Sequence, residues 1–202
     1  MKENGFDYVD LGLPSGTMWA TCNVGATKPE DPGILFQFGR VDGYKYDDEN
    51  HKFRTNVQNL EYSSSRCIPI TTTGKVYKKN EILDLDDDAA HINMGGKWRM
   101  PTNNDLEELI DNTTHDVVTV NGVKGMIFTS IINSKQLFIP FAGFWYNGYF
   151  NTVGSYAYIW SSIVHASIVN TAYSLCCNSS GDAGFSNYYR SSAFSVRGVF
   201  RK

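Results

Sequence analysis

The stretch WRMPTNNDLEELI, residues 98–110, decides the fold of this 202-residue chain more than any other segment. Thr102 precedes Asp105 by three residues, a spacing at which each side chain can bond the backbone of the other and start a helix. Three apolar side chains then recur at the spacing of one helical face: Leu106, Leu109 and Ile110. The stretch therefore predicts an amphipathic helix that begins after Thr102.

Short strands are predicted before this helix. Residues 6–13 and 17–24 contain alternating apolar side chains, with Met18 and Trp19 on opposite faces of the second strand. A hairpin around Thr73-Gly74 is also predicted from its turn residues.

More strands are predicted after the helix. Residues 117–128 indicate a β-hairpin in which Asn121-Gly122 forms a type I′ turn. Residues 136–144 form a nearly continuous apolar run, typical of a buried strand. Two shorter strands are expected at 172–177 and 194–199.

The composition is that of one folded domain covering residues 1–202. Hydrophobic residues make up 42% of the chain and aromatic residues 14%, which excludes intrinsic disorder. No apolar run reaches the roughly 18 residues of a membrane-spanning helix, so membrane insertion is not expected. A net charge of −3 is too small to indicate a nucleic-acid partner.

No catalytic, cofactor or metal motif stands out. Asp84, Asp86 and Asp88 alternate like the start of a calcium loop, but Ala89 and Gly95 stand where that loop needs Gly and Glu. The four histidines lack zinc-site spacing. We interpret the acidic run as a solvated turn that caps the segment after it, and we expect no metal, cofactor or catalytic residue.

The four cysteines are Cys22, Cys67, Cys176 and Cys177. A bond between the adjacent pair would be strained, and a chain of this length needs no disulfide framework. Free thiols are therefore expected, and a Cys22–Cys67 bridge stays open as an alternative.

Three segments, closed by a fourth, carry a resemblance to a known family. They read VDLGLPSGTMWATCNVGA (9–26), DDAAHINMGGKWRMPTNNDLEEL (87–109), FIPFAGFWYNGYFNTVGSYAYIWSS (138–162) and AFSVRGV (193–199). In this order they resemble the paralogous surface domain of gut Bacteroides and their phages, a branch of the C-type-lectin-like superfamily. That superfamily also contains the formylglycine-generating enzyme and the variable proteins of diversity-generating retroelements.

The resemblance implies an α+β, C-type-lectin-like fold with small twisted antiparallel sheets, about two helices and long loops. Residues 5–145 would form the scaffold, and residues 146–201 would form a variable ligand-binding region. The motif residues are interpreted as structural, with Gly95-Gly96 as a turn. The expected core anchors are Trp98, Met100, Trp160 and Phe194.

Five residue types nearly vanish after Trp145. Glu, Gln, Lys, Met and Trp occur 28 times in 1–145 but only once, as Trp160, in 146–201. In the variable proteins that this chain resembles, a retroelement rewrites adenines of asparagine codons, and such changes cannot produce these five types. The deficit therefore favours diversification. The alternative is ordinary enrichment of Ser, Tyr and Asn on a loop-rich binding surface.

Both interpretations predict recognition by side chains after Trp145. Tyrosine offers rigid contact with little entropy loss, and Ser, Gly and Asn add adaptable hydrogen bonds, as in antibody loops. Ile163, Val164 and Ile168 are expected to form an exposed apolar patch, and Tyr188 is expected to add little stability. The predicted ligand-binding residues are Tyr146, Asn147, Tyr149, Ile163, Val164, His165, Ala166, Ile168, Ser174, Cys176, Asn178, Asp182, Asn187, Tyr188, Ser191 and Ser192.

Strand alternation assigns a side to each residue of the segment 172–178. The side chains expected to pack inward are Tyr173, Leu175 and Cys177. The side chains expected to face ligand are Ser174, Cys176 and Asn178.

The predicted function is receptor binding without catalysis, by a phage tail-fibre tip or a bacterial surface adhesin. The expected partner is a host cell-surface protein or glycan, with a homo-oligomer or a fibre supplying avidity. The opening MKENGFDYVD lacks the apolar part of a secretory signal, which favours the phage virion. Two alternatives stay open: a formylglycine-generating type of enzyme, and a fixed structural module of a fibre or pilus.

Overall fold

Short apolar runs separated by turn residues produce short strands, as the sequence predicts. A computed structural model describes residues 1–47, 52–55, 68–146 and 149–202. Within this part of the chain, the strands are β1 (Lys2–Glu3), β2 (Phe6–Val9), β3 (Thr17–Ala20), β4 (Ile34–Gln37), β5 (Tyr44–Asp47), β6 (Lys52–Thr55), β7 (Thr113–Val120), β8 (Val123–Ser130), β9 (Gln136–Pro140), β10 (Phe144–Tyr146), β11 (Tyr149–Asn151), β12 (Tyr156–Val164), β13 (Thr171–Asn178), β14 (Ala183–Tyr189), β15 (Ala193–Ser195) and β16 (Val199–Arg201). The helices are α1 (Ala89–Met94) and α2 (Asn103–Asp111), preceded by a 3-10 turn at Leu85–Asp87.

These strands form three sheets, and together with the two helices they make a small α+β fold. The first sheet has the order β1-β2-β3-β16, and the third has the order β7-β8-β9. The largest sheet runs β14-β13-β12-β15-β4-β5-β6, and β10 joins it through β15 and carries β11. All strand pairs are antiparallel except β12 with β15. The two described helices are too short to span a membrane.

Helix α2 begins where the sequence predicts. The Thr102 hydroxyl accepts the N–H of Asp105 at 3.3 Å, and the Asp105 carboxylate accepts the N–H of Thr102 at 2.8 Å. Leu106 and Leu109 are fully buried, while Ile110 is half-buried. The predicted amphipathic helix is confirmed.

Asp105 also joins the helix to the end of the chain. Its carboxylate accepts from Arg99 at 2.7 Å and from Arg201 at 3.3 Å, and it receives the hydroxyl of Thr17 at 3.1 Å. Burial opposes ionisation of this carboxyl group, but the bonds from Arg99 and Thr102 outweigh burial and lower the pKa of Asp105 to about 2. The ionised side chain therefore stabilises the fold.

The hairpin over 117–128 is confirmed, whereas the strand over 136–144 is shorter than predicted. Strands β7 and β8 pair through the two-residue turn, where Asn121 and Gly122 both have positive φ. The apolar run breaks after β9 because the chain bends at Gly143. Its φ is 65°, and an added Cβ atom would collide with the carbonyl of Asn151.

Strand β12 separates two cores. Its Trp160 faces the first core, which contains the predicted anchors Trp98 and Phe194 at 0% exposure. Its Ile159 faces the second core, which holds helix α2 against the hairpin β7–β8. The four predicted anchors are confirmed, since Met100 is only 2% exposed.

Arg197 lies in the closing motif and joins this motif to two other segments of the chain, one at residues 20–23 and one at Phe138. It is fully buried and donates to the side chain of Asn23 at 2.9 Å, the carbonyl of Ala20 at 3.1 Å and the carbonyl of Phe138 at 3.0 Å. Burial lowers its pKa to about 10, so the guanidinium stays charged at neutral pH. The closing motif AFSVRGV therefore stabilises the scaffold through Arg197.

The acidic run is a solvated capping turn only in part, because Asp84 and Asp86 are exposed. Asp88 caps α1 by accepting the N–H of His91 at 2.9 Å, as expected, but its side chain is buried. Asp87 is also buried and accepts from the backbone and hydroxyl of Thr73, each at 2.7 Å, and from the hydroxyl of Tyr77 at 2.8 Å. The hairpin predicted at Thr73-Gly74 is only a turn, which Asp87 holds in place.

Candidate ligand-binding surface

Strands β12, β13 and β14 give the C-terminal part of the chain two distinct faces. Leu175 and Cys177 pack into the second core on one face, as predicted. The opposite face carries half-buried side chains that pack against the first core, together with Tyr158, which is itself buried in that core. We call this opposite face the aromatic face, and its residues are Tyr146, Tyr156, Tyr158, Cys176, Ser186 and Tyr188.

The aromatic face is a network of ring contacts. The ring of Tyr158 lies 5.9 Å from that of Tyr156, 5.5 Å from that of Tyr188 and 4.7 Å from that of Phe194. Tyr188 also contacts Phe144 at 5.1 Å between ring centroids. These rings therefore support one another through stacked and edge-on contacts.

Burial keeps the phenol groups of Tyr158 and Tyr188 protonated at physiological pH. Burial raises the pKa of Tyr158 well above its ordinary value, and the neighbouring Cys176 and Tyr188 raise it further. Burial is also the main cause that raises the pKa of Tyr188 and of Cys176. The face therefore offers neutral hydroxyl and thiol groups beside apolar rings.

A groove of about 410 Å³ lies at one end of β13 and β14. Tyr188 lines the groove and also belongs to the aromatic face, so the groove borders that face at the edge of the sheet. Tyr189, which is 37% exposed, stacks on Tyr146 of the aromatic face with ring centroids 6.4 Å apart. The groove is lined by Ile168, Asn170, Thr171, Asn187, Tyr188 and Tyr189, none of which is charged.

One wall of the groove is the turn at 165–170. The Nδ1 atom of His165 accepts the N–H groups of Ser167 and Ile168, each at 3.1 Å, and its ring lies 4.6 Å from that of Tyr173. Tyr173 is therefore only half-buried and supports the turn, although it was expected to pack inward. This local bonding fixes the direction in which Ile168 points.

Arg190 holds the same turn against the scaffold. It is fully buried and donates from Nη1 to the carbonyls of Val169 at 3.4 Å and Tyr77 at 3.3 Å. Its guanidinium also lies 5.1 Å from the ring centre of Phe38. Burial lowers the pKa of Arg190 to about 10, so it remains charged at neutral pH.

Several predicted ligand-binding residues do lie on this surface. Tyr146, Cys176 and Tyr188 are on the aromatic face, and Ile168, Asn187 and Tyr188 line the groove. His165 and Ala166 lie in the turn beside the groove, and Tyr149 is 72% exposed on β11, which pairs with β10.

Four predicted residues are buried instead, so their expected exposure is wrong. Val164 points into the first core, and its N–H donates to the carbonyl of Glu81 in a neighbouring segment. Ser174 lies on the same face as Cys176 but opposite Trp160, where the core is deepest. The turn between β14 and β15 buries the other two, which are Ser191 and Ser192.

The apolar patch expected from Ile163, Val164 and Ile168 does not form, because Val164 is buried between the other two in the sequence. Ile163 is half-buried beside Ile82 in an isolated bridge, while Ile168 is 47% exposed at the groove. Val164, which would join them, is fully buried. The two isoleucines therefore belong to different parts of the surface.

Two further predicted residues lie away from the groove. Asn178 and Asp182 bond each other at 2.9 Å at the opposite end of β13 and β14. That end is about 23 Å from Thr171, given the rise of an extended strand. Asn147 lies outside the described residues, as does Cys67 of the alternative Cys22–Cys67 bridge.

Sequence reasoning missed Tyr156, Asn170 and Tyr189. Of the two adjacent tyrosines at the end of β14, only Tyr188 is among the residues predicted from the sequence. The structure uses both, because Tyr189 lines the groove at the strand end while Tyr188 turns toward the rings. The Tyr- and Asn-rich composition was the signal that could have included all three.

The adjacent cysteines cannot act together. Cys177 is 1% exposed in the second core, while Cys176 belongs to the aromatic face. Burial raises the pKa of both thiols. In the described part of the chain, no three His, Cys, Asp or Glu side chains come close enough together to hold a metal ion.

Comparisons of this chain with models of protein families, with curated proteins and with solved structures find no match.

Proposed function

We propose that this chain is a ligand-binding protein with a C-type-lectin-like fold, whose C-terminal region binds a protein or glycan on a host cell. One observation carries the proposal. Residues from the last third of the sequence meet on one continuous surface, the aromatic face and its groove, while the motifs of the preceding two thirds are mostly buried. A scaffold that supports a separate recognition surface is the arrangement expected of a binding module.

The chemistry of the surface supports recognition of an uncharged ligand. Tyrosine rings present apolar area at low entropy cost, and their neutral hydroxyls can donate or accept hydrogen bonds. The side-chain amides of Asn170 and Asn187 add both donors and acceptors inside the groove. A glycan or a neutral stretch of protein offers matching groups.

We further propose that the surface is diversified by a retroelement. The lack of Glu, Gln, Lys, Met and Trp in residues 146–201, apart from the buried Trp160, supports this mechanism. Diversification requires positions that can change without unfolding the chain. Tyr149, Ile168 and Asn187 are exposed and meet this requirement.

Sequencing the coding locus across many isolates tests diversification. We expect substitutions at Tyr149, Ile168 and Asn187, and a reverse transcriptase gene nearby. The buried Ser174 and Ser192 should stay constant in the same isolates. Substitutions scattered evenly over the chain would contradict diversification and favour a fixed module of a fibre or pilus.

We place the protein at the tip of a phage tail fibre, with the bacterial surface as the alternative location. A single groove of this size is expected to bind weakly, so several copies on one particle would supply the needed avidity. Both locations put the surface in contact with a host cell.

Binding to host cells and glycans tests the proposed function directly. Fluorescently labelled protein is applied to gut Bacteroides cells and to a glycan array. We expect the wild type to bind a subset of targets and Asn187→Ala or Tyr189→Ala to weaken binding about tenfold or more. The control Ile131→Ala changes a 64% exposed residue in the turn after β8 and should bind normally. Equal binding by all variants would contradict the proposed site.

A further inference from the structure

Strand β14 is one edge of the largest sheet, and its register fixes which backbone groups are free. The N–H of Asn178 donates to the carbonyl of Asp182 at 3.0 Å, and the N–H of Arg190 donates to the carbonyl of Asn170 at 2.9 Å. In an antiparallel ladder such bonded pairs recur at every second residue. The even-numbered residues of β14 therefore bond to β13.

The odd-numbered residues of β14 point their backbone groups away from the sheet. These are Ala183, Phe185, Asn187 and Tyr189. Within the part of the chain that the structure describes, no hydrogen bond reaches the N–H or carbonyl groups of the first three. Phe185 is also 42% exposed, so its ring is open to a partner as well.

This edge lacks the features that usually prevent strands from pairing between molecules. Its sequence, AGFSNYY, contains no charge and no proline. Its pairing with β13 runs without a bulge from Ala183 to Tyr189. Natural edge strands are commonly protected by lysine, proline, a bulge or a covering segment.

We propose that β14 is a self-association edge, at which two copies of this chain pair their β14 strands antiparallel. The two-fold axis passes through Ser186. Phe185 of one copy then lies opposite Asn187 of the other, and Ala183 lies opposite Tyr189. This odd-to-odd register brings the outward N–H and carbonyl groups of Phe185 and Asn187 in both strands together.

A second copy suits this edge better than an unrelated charged partner. An uncharged strand meets its own copy without opposing like charges. The pairing also covers Phe185 in both copies and joins two sheets into one. Each copy then contributes the same strand, as an isologous interface requires.

The pairing also sets the direction of the two aromatic faces in the dimer, and its importance rests on the proposed function. Residues opposite each other in a ladder lie on the same side of the sheet. The two-fold axis therefore stands perpendicular to the sheet, and the two aromatic faces point in the same direction. Such a dimer would present two ligand-binding surfaces to one cell.

Sedimentation velocity over a concentration series tests the pairing. We expect the wild type to form dimers as its concentration rises to about 1 mM. Phe185→Pro removes one outward N–H group without removing a bond to β13, and Phe185→Lys places a charge on each strand. Both variants should associate at least about tenfold more weakly. Ile131→Lys, an exposed change in the turn after β8, should dimerise like the wild type.

Hydrogen exchange gives the second readout. The amides of Phe185 and Asn187 should exchange quickly when the protein is dilute and slowly when it is concentrated. A wild type that stays monomeric throughout would overturn the proposal, as would dimers that both Phe185 variants preserve. A failure to dimerise would not contradict cell binding by the monomer. A failure to bind cells would not contradict the dimer seen by sedimentation.

Discussion

Trp98 is a buried member of the first hydrophobic core, whereas Tyr188 is partly buried and packs against the same core. Trp98 is fully buried, packs edge-on against Phe200 at 4.8 Å and donates its indole N–H to the carbonyl of Glu3 at 3.0 Å. Tyr188 is half-buried and shares its ring contacts with residues that reach the surface. The comparison indicates that the proposed recognition surface is the outer layer of the core and not a set of loops detached from it.

Substitution of the fully buried Trp98 should have the largest effect on stability. Trp98→Ala removes a large side chain and leaves a cavity, so we expect unfolding to become easier by about 3–5 kcal/mol. Chemical denaturation with the exposed change Ile131→Ala as control measures this loss. A loss below about 1 kcal/mol would show that this part of the core is not tightly packed.

Asp105 should give the fold its acid sensitivity. Its folded pKa of about 2 lies below its ordinary value of 3.8, so its contribution to stability is present above that ordinary value and is lost as pH falls toward 2. We expect the wild type to lose about 2 kcal/mol more than Asp105→Asn between pH 5 and pH 2. Denaturation curves at several pH values measure the difference.

Comparing the wild type with Asp105→Asn separates the effect of Asp105 on stability from that of the buried Asp88. Burial raises the pKa of Asp88, which acts in the opposite direction as pH falls, and this effect is common to both proteins. Parallel stability curves for the wild type and Asp105→Asn would contradict the role assigned to Asp105.

Tyr188 should show an intermediate effect. Its ring packs on Phe144, Tyr158 and Phe194, so Tyr188→Ala should destabilise the fold by about 1–2 kcal/mol. This corrects the expectation from sequence that Tyr188 adds little stability. Thermal unfolding measures the change, and an unaltered melting temperature would mean that the ring is free in solution.

The groove should show the smallest effect on stability. Tyr189→Ala and Asn187→Ala change exposed side chains, and we expect each to alter stability by less than about 0.5 kcal/mol. The same thermal unfolding experiment measures both. A larger loss would place these residues in the scaffold and weaken their assignment to the ligand.

The sequence predicts elements whose signals are local. The helix after Thr102 depends on a reciprocal cap within four residues, and the hairpin at Asn121-Gly122 depends on two residues that accept positive φ. The anchors Trp98 and Trp160 are also predictable, because large apolar side chains are costly to expose.

The burial of small polar residues is not predictable in the same way. Ser174 and Ser186 are directly paired in the sheet, yet Ser174 is fully buried and Ser186 is half-buried. The difference arises because Trp160, from another strand, lies beside Ser174. Strand alternation gives the side of the sheet, whereas depth depends on neighbours that are distant in the sequence.

The shape of the groove also depends on residues that are distant in the sequence, so local patterns do not predict it. Its wall at 165–170 is held by Arg190, whose guanidinium reaches the carbonyls of Val169 and Tyr77. No local pattern indicates that an arginine beside two tyrosines is buried, since arginine is usually exposed. The Tyr- and Asn-rich composition indicated the region of the surface, and only the fold shows which residues meet there.

Tyr188→Phe tests most directly whether the outer layer of the core is also the recognition surface. The change keeps the ring contacts and removes only the hydroxyl, so stability should stay within about 1 kcal/mol of the wild type. Affinity for a host-cell or glycan target that the wild type binds should fall about tenfold. Unchanged affinity together with unchanged stability would contradict the account.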